Sequence, residues 1–361
     1  MIEYENLRKV NEKFSSRFRT AFEDFLLSGC YVLGENVNEF EREFADYLGV
    51  KHCIGVASGL DALVLGLEAM AFEKGSEVIV PANTYIASIL AIVRAGLKPV
   101  LVEPDISTYN ITAENIKKKI NTNTKAIMVV HMYGKSCDMN PIINIAHNDN
   151  LKIIEDVAQA HGASYKGRKT GTFGLGCFSF YPTKNLGGLG DGGAVVCNDR
   201  ETADKVRKLR NYGSGRKYYN ELIGFNSRLD EIQACFLRIK LKELDKINEH
   251  KRSLAEIYFK HLNDHVIKPV KSFGFDDVYH IYNIRHPDRA RMKQFLLGEG
   301  IETEVHYPVP PHYQKSMKSF INEKFPISEE IHATTLSLPV SFFHTEREIL
   351  RVCEVVNDFD E

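Results

Sequence analysis

The sequence predicts an α/β fold, a largely parallel sheet covered by helices on both faces, followed by a smaller α+β unit. Three observations carry that expectation. From residue 53 onward, short apolar runs alternate with stretches of helical periodicity, the pattern of parallel strands joined by crossover helices. Several of the runs, KAIMVVH (125–131) and KIIEDVA (152–158) among them, are too continuous for strands with one wet face. Between Arg228 and Leu262, Leu229, Ile232, Ala234, Leu237, Ile239, Leu241, Leu244 and Ile247 recur at helical spacing, long enough to connect two domains.

Taken in order, the elements follow from spacing. Phe14, Phe18, Phe22 and Leu26 recur every fourth residue, which predicts a packing helix that ends near Gly29. CIGVA opens the sheet, and a helix from Gly59 follows with Leu60, Leu63, Val64 and Leu67 on one face. EVIVPA, a helix to about Ala95, PVLVE, KAIMVVH, a helix near 140–148 and KIIEDVA continue the alternation. CFSFY (177–181) leads through TKNLGGLGDGG to strand AVVCN, and a charged helix starts near Arg200. In the last hundred or so residues HIYNIRH reads as a strand, ARMKQFLLGEG as a helix closed by Gly300, and YPVPPHY as a stiff loop.

Composition excludes whole classes of partner. A net charge of −2 over 46 basic and 48 acidic residues supplies no positive field for nucleic acid or an anionic membrane. The longest apolar runs fall far short of a bilayer span, and the start MIEYENLRKV has no apolar leader region. A cytoplasmic protein is expected. The seven cysteines are dispersed and form no C-x-x-C pair, so they are read as buried thiols. No metal is expected, since His306 and His312 are held apart by YPVPP and no H-E-x-x-H occurs.

The chemistry concentrates in FSFYPTKNLGGLGDGG, where a single lysine, Lys184, stands between a strand and a glycine cluster. A partly desolvated primary amine forms a Schiff base with a carbonyl cofactor and then shuttles a proton between adjacent carbons. Gly188, Gly190 and Gly193 fit the dinucleotide fingerprint, but they lead into strand AVVCN instead of opening a helix, so a nicotinamide or flavin site is disfavoured. Asp156 ends an apolar strand, where a buried carboxylate needs a cation such as a protonated pyridine nitrogen. An ordinary strand-end acid in solvent is the alternative. Pleating sends Glu155 and Asp156 to opposite faces, so at most one points into a shared cleft. ASGLDAL (57–63) places Ser58 and Gly59 just before a helix, suited to a phosphate, although Ser58 also fits a plain N-cap. Tyr85, in PANTYIAS, offers a flat ring for stacking or for packing.

Together these segments, with IEDVAQAHGA, GFNSRLDEIQA, the HIY segment at 280–282 and GIETEVHYPVPPHYQ, resemble the DegT/DnrJ/EryC1/StrS sugar aminotransferases nearly end to end. The resemblance implies the fold-type I, aspartate-aminotransferase architecture: a large α/β domain (1–245) with a mostly parallel seven-stranded sheet that binds pyridoxal 5'-phosphate, and a small C-terminal α+β domain (246–361). It implies that Lys184 carries the cofactor, Asp156 pairs with the ring nitrogen, Gln159 lies near the ring hydroxyl and Tyr85 stacks on the ring. Ser58, Gly59 and Ser179 would meet the phosphate, with Leu60 beside them. Asn226 would reach the phosphate of a neighbouring subunit, which implies a homodimer with shared active sites. Tyr181, His306 and Tyr307 would line the sugar-nucleotide cleft, Tyr181 and His306 having a structural alternative.

Leu60 departs from the threonine that many relatives carry, which leaves backbone donors at that place. With NTYIAS and VHMYG, it is similar to the subgroup that aminates C3 of a dTDP-linked 3-keto-6-deoxyhexose, with L-glutamate as donor. Three rivals stay open: a C4 aminotransferase acting on a UDP- or dTDP-4-keto sugar, another pyridoxal enzyme such as a lyase or dehydratase, and a non-catalytic regulatory protein on the same fold.

Overall fold

The computed structural model describes residues 1–359. Seven strands form the main sheet: β1 (His52–Val56), β2 (Glu77–Pro81), β3 (Lys98–Val102), β4 (Thr124–Val130), β5 (Lys152–Asp156), β6 (Leu175–Ser179) and β7 (Gly193–Cys197). Their spatial order is β1-β7-β6-β5-β4-β2-β3. Only β7 runs antiparallel to its neighbours; the other pairings are parallel.

Helices cover both faces because strand residues alternate. Val78 and Val80 enter one core with α3 (Gly59–Ala69), α4 (Ile86–Arg94) and α6 (Arg200–Leu209). Ile79, between them, enters another with α5 (Met139–Asn148). On that second face, α2 (Glu35–Leu48) and α7 (Glu231–Leu241) pack over Cys53, Phe178 and Val196. Strands buried on both sides carry apolar residues without interruption, as the sequence indicated.

A separate core gathers α8 (Leu244–His261), the antiparallel pair β8 (Tyr282–Arg285) and β9 (Thr335–Leu338), α9 (Arg289–Gly298) and α10 (Glu346–Asn357). The stretch expected as one long helix is two. It breaks at Lys242–Glu243, where Glu243 takes φ −111 and ψ 0. The break lets Ala234, Leu237 and Leu241 of α7 face the sheet core while Leu254, Ala255 and Tyr258 of α8 face the second one.

The chain crosses between these cores repeatedly. Residues 2–5 lie on the second core: Ile2 N–H donates to Gly300 at 2.7 Å, Glu302 N–H to Ile2 at 2.9 Å, and Ser341 Oγ to Glu5 at 2.7 Å. Phe14 and Phe18, at the start of α1 (Ser15–Ser28), then pack with Phe236 of α7 and with Ile247. Later, Met317, Ile321 and Phe325 reach back into the sheet core.

Four further expectations need correcting. Phe22 and Leu26 on α1 are 44% and 49% exposed, so the phenylalanine stripe packs only at its first half within one chain. Cys30 is exposed, whereas the other six cysteines are buried. The strand expected over CFSFY stops at Ser179, which puts Tyr181 in the following loop, and the strand expected over HIYNIRH starts at Tyr282, which leaves His280 outside it. Among the described residues, no helix is long and apolar enough to cross a membrane.

Candidate active site

The carboxyl ends of the parallel strands open toward one side, where ligands of such sheets bind. From β5 comes Asp156, 6% exposed, its Oδ2 accepting from Ser88 Oγ at 2.8 Å and its Oδ1 from Ala158 N–H at 3.1 Å. Burial raises its pKa, opposed by those hydrogen bonds and by the Lys184 charge. The solvent-facing alternative is thereby excluded. The strand's other face carries Glu155, fully buried, which accepts from Gly171, Phe173 and Gly174 N–H at 2.7, 2.7 and 2.8 Å and meets His131 Nε2 at 3.0 Å. Pleating therefore separates a structural acid from one free to meet a ligand.

Lys184 follows β6 in a turn closed by its N–H donating to the Tyr181 carbonyl at 2.9 Å. The side chain is half-buried and lies 3.4 Å from His280 Nε2. Burial lowers its pKa to about 8, while Asp156 pulls the other way. The amine and the carboxylate thus feel each other's charge.

At the end of β1, Ser58 caps α3, its Oγ accepting from Asp61 N–H at 3.1 Å. Its N-cap role is real, and it leaves the first free N–H groups of the helix at the cleft. Here glycine is a steric requirement: a Cβ on Gly59 would sit 2.4 Å from the Ser179 Cβ, so only glycine lets α3 close on the end of β6. Ser58, Gly59 and Ser179 are therefore brought together. Leu60 packs into the sheet core and offers only its backbone.

Gln159 is nearly buried, its Oε1 accepting from Tyr133 N–H at 2.6 Å and its Nε2 donating to Tyr307 Oη at 2.9 Å. The second N–H of that amide is still available. Tyr85, 53% exposed, sets its ring 5.0 Å from that of Tyr307, tilted by 37°. His306 Nδ1 meets Ser337 Oγ at 2.9 Å, and burial pushes its pKa down to about 4. Tyr133 Oη donates to the His306 carbonyl at 2.5 Å. Tyr181 is exposed in the loop before Lys184. Asn226 stands apart from this group: it is exposed, bridges to Asn211, and lines an open hollow with Val32, Ala57 and Arg228.

Three contributors escaped sequence reasoning. Ser88 sits in PANTYIAS, four residues from Thr84, whose hydroxyl it meets at 2.7 Å; helical spacing alone hinted at the pair. Tyr133 lies in the VHMYG segment and His280 in the HIY segment, but only the fold brings them to Gln159 and Lys184. His261 and His265 stand at metal-ligand spacing, yet His265 Nε2 faces the Val356 carbonyl at 3.0 Å, and no metal-binding cluster forms among the described residues.

The arrangement suits a pyridine aldehyde bearing a phosphate: a low-pKa amine, a buried carboxylate that feels its charge, a glycine-lined helix start and an open aromatic ring. Comparison with known proteins agrees. A dTDP-3-amino-3,6-dideoxy-alpha-D-galactopyranose transaminase of Aneurinibacillus thermoaerophilus is 50% identical, with 99% of each chain covered. A dTDP-3-amino-3,4,6-trideoxy-alpha-D-glucose transaminase of Streptomyces venezuelae is 41% identical over 99% of this chain and 95% of that one. The crystal structure of S. venezuelae DesV in complex with a ketimine intermediate superposes with a TM-score of 0.98 at 40% identity, covering 100% of this chain and 98% of that one. The profile of one family matches residues 13–357, and the chain belongs to it: the DegT/DnrJ/EryC1/StrS aminotransferase family.

Proposed function

We propose that this protein is a pyridoxal-phosphate-dependent aminotransferase that moves the amino group of L-glutamate to C3 of a dTDP-linked 3-keto-6-deoxyhexose. The product is a dTDP-3-amino-3,6-dideoxyhexose for a surface glycan, made in the cytoplasm. The observation that carries this reading is a half-buried Lys184 amine, its pKa lowered to about 8, and a buried Asp156 carboxylate that feel each other's charge. The 50% identity to a dTDP-3-amino-3,6-dideoxy-galactose transaminase favours C3 over C4 and dTDP over UDP.

When bound, pyridoxal phosphate supplies an aldehyde that condenses with amines and a ring that takes up the electrons released at a carbon next to nitrogen. Lys184 would hold it and would serve as the base that takes a proton from the amino-acid α-carbon, and as the acid that returns one in the second half-reaction. Asp156, fixed by Ser88 and the Ala158 N–H, would keep a proton on the ring nitrogen. Ser58, Gly59, the Leu60 backbone and Ser179 would receive the phosphate, Gln159 would meet the ring hydroxyl, and Tyr85 would cover one ring face. Tyr181, His306 and Tyr307 bind the sugar nucleotide. The exposed apolar residues Phe22, Leu26, Leu27 and Tyr31, together with Val32 in the hollow beside Asn226, are the surface that a second copy would cover in a homodimer with shared sites.

Borohydride reduction of the holoenzyme followed by peptide mapping is expected to fix a pyridoxyl group on Lys184, and Lys184→Ala is expected to lose both that adduct and all turnover. A lyase or a regulatory protein would not release 2-oxoglutarate when the yellow enzyme is mixed with glutamate alone. Release of 2-oxoglutarate with loss of the yellow form is expected; its absence would overturn the transaminase reading.

A further inference from the structure

The proton-carrying lysine has a neighbour that none of its expected partners explains. His280 Nε2 lies 3.4 Å from Lys184 Nζ, slightly beyond the usual hydrogen-bond range, as catalytic contacts often are before the reactants are in place. Its other ring nitrogen, Nδ1, is buried and has no hydrogen-bond partner among the described residues.

The backbone around His280 is tightly fixed. Val278 N–H donates to the Gly134 carbonyl at 2.9 Å, and Ile281 N–H to the Tyr133 carbonyl at 3.3 Å. Gly134, at φ +98, approaches so closely that a Cβ there would fall 2.8 Å from the His280 nitrogen. From the second core, Lys251, 5% exposed, donates to the His280 carbonyl at 3.4 Å. The His280 backbone is thus held by both cores, and from it the ring brings Nε2 to the Lys184 amine.

From this geometry we infer that His280 is a positioning residue for Lys184: its Nε2 accepts an N–H of the amine and so turns the amine's lone pair toward the reacting carbon. The inference deepens the transaminase reading and rests on Lys184 being the proton carrier. The chemistry favours an imidazole here. A neutral amine has two N–H donors and one lone pair, and an ammonium has three donors, so an acceptor at Nε2 holds the side chain in both states while leaving the lone pair free. A carboxylate in that place would bind the ammonium and hold the lysine protonated. The groups that face His280 are Lys184, Lys251, His306 and His161. Together with burial they hold it neutral, its pKa well below the usual 6.5; an accepting Nε2 then requires the proton on Nδ1.

His280→Leu removes the acceptor and keeps the bulk; His280→Gln restores an acceptor through its amide oxygen. In His280→Leu, borohydride labelling of Lys184 is expected to remain at the wild-type level. The single-turnover rate with glutamate is expected to fall at least about ten-fold, with a larger isotope effect from α-deuterated glutamate, and His280→Gln is expected to recover part of the rate. A second readout needs no cofactor: in 15N-histidine spectra of the cofactor-free protein, one neutral imidazole should show a bare Nε2 whose signal moves in Lys184→Ala. An unchanged rate and isotope effect in His280→Leu, or an imidazole signal indifferent to Lys184→Ala, would overturn the inference. If His280→Leu does not fold, the glutamine variant and the spectra decide. Should the wild type itself fail to release 2-oxoglutarate, the functional reading falls while the spectra still test the contact.

Discussion

A lysine works as a base at neutral pH only when its surroundings withhold water. Burial brings Lys184 to a pKa of about 8 against the opposing pull of Asp156, so the released amine becomes neutral well below the usual lysine range. The group is favoured in its uncharged form by desolvation, and the base form accumulates as pH rises through that value. The single-turnover rate with glutamate is therefore expected to climb up to about pH 8 and level off above it, checked by stopped-flow between about pH 6 and pH 10. A rate still rising at the upper limit would remove the lysine assignment of that step. Lys184 and Asp156 were legible in the sequence because their chemistry is unusual for their setting: an amine before a glycine cluster and an acid at the end of an apolar strand. Ser88 and His280 were not, because a serine on a helix and a histidine before a strand have ordinary roles, and only tertiary contact distinguishes them.

Strand β5 illustrates what periodicity tells and what it omits. Alternation already required Glu155 and Asp156 to part ways, but it did not say which one would face the cleft. The answer lies in residues 171–174, whose three N–H groups converge on Glu155. Glu155→Ala would strand three buried donors together with His131, at a cost on the order of 3 kcal/mol or more. Urea unfolding of the variant is expected to show that loss, and a change under about 0.5 kcal/mol would mean that water replaces the carboxylate without penalty. The α7–α8 break was hidden for a different reason. Helical spacing persists across Lys242 and Glu243, since each half keeps its own apolar face, and only the change of the core served by each half reveals the bend.

For the molecule as a whole, the α/β class, strand sequence and helix coverage could be read from the apolar runs, because burial on both faces writes itself into composition. The uncovered half of α1 could not: a stripe reads the same whether its own chain or another covers it. If Asn226 serves a neighbour's phosphate site, Asn226→Ala and Lys184→Ala should complement each other. Mixed and reassembled at limiting cofactor, the two variants are expected to regain roughly a quarter of wild-type activity, because half of the dimers are hybrids and each hybrid holds one complete site. No gain on mixing would place Asn226 in its own subunit's affairs. The repeated passage of the backbone between the two cores, at residues 6–14, at 242–243 and on either side of Met317 and Phe325, bears on how the protein comes apart. Bodies stitched together so often lose their thermal independence. Scanning calorimetry is expected to record one peak whose calorimetric and van't Hoff enthalpies agree, and two resolved peaks would mean the seams yield before the cores do.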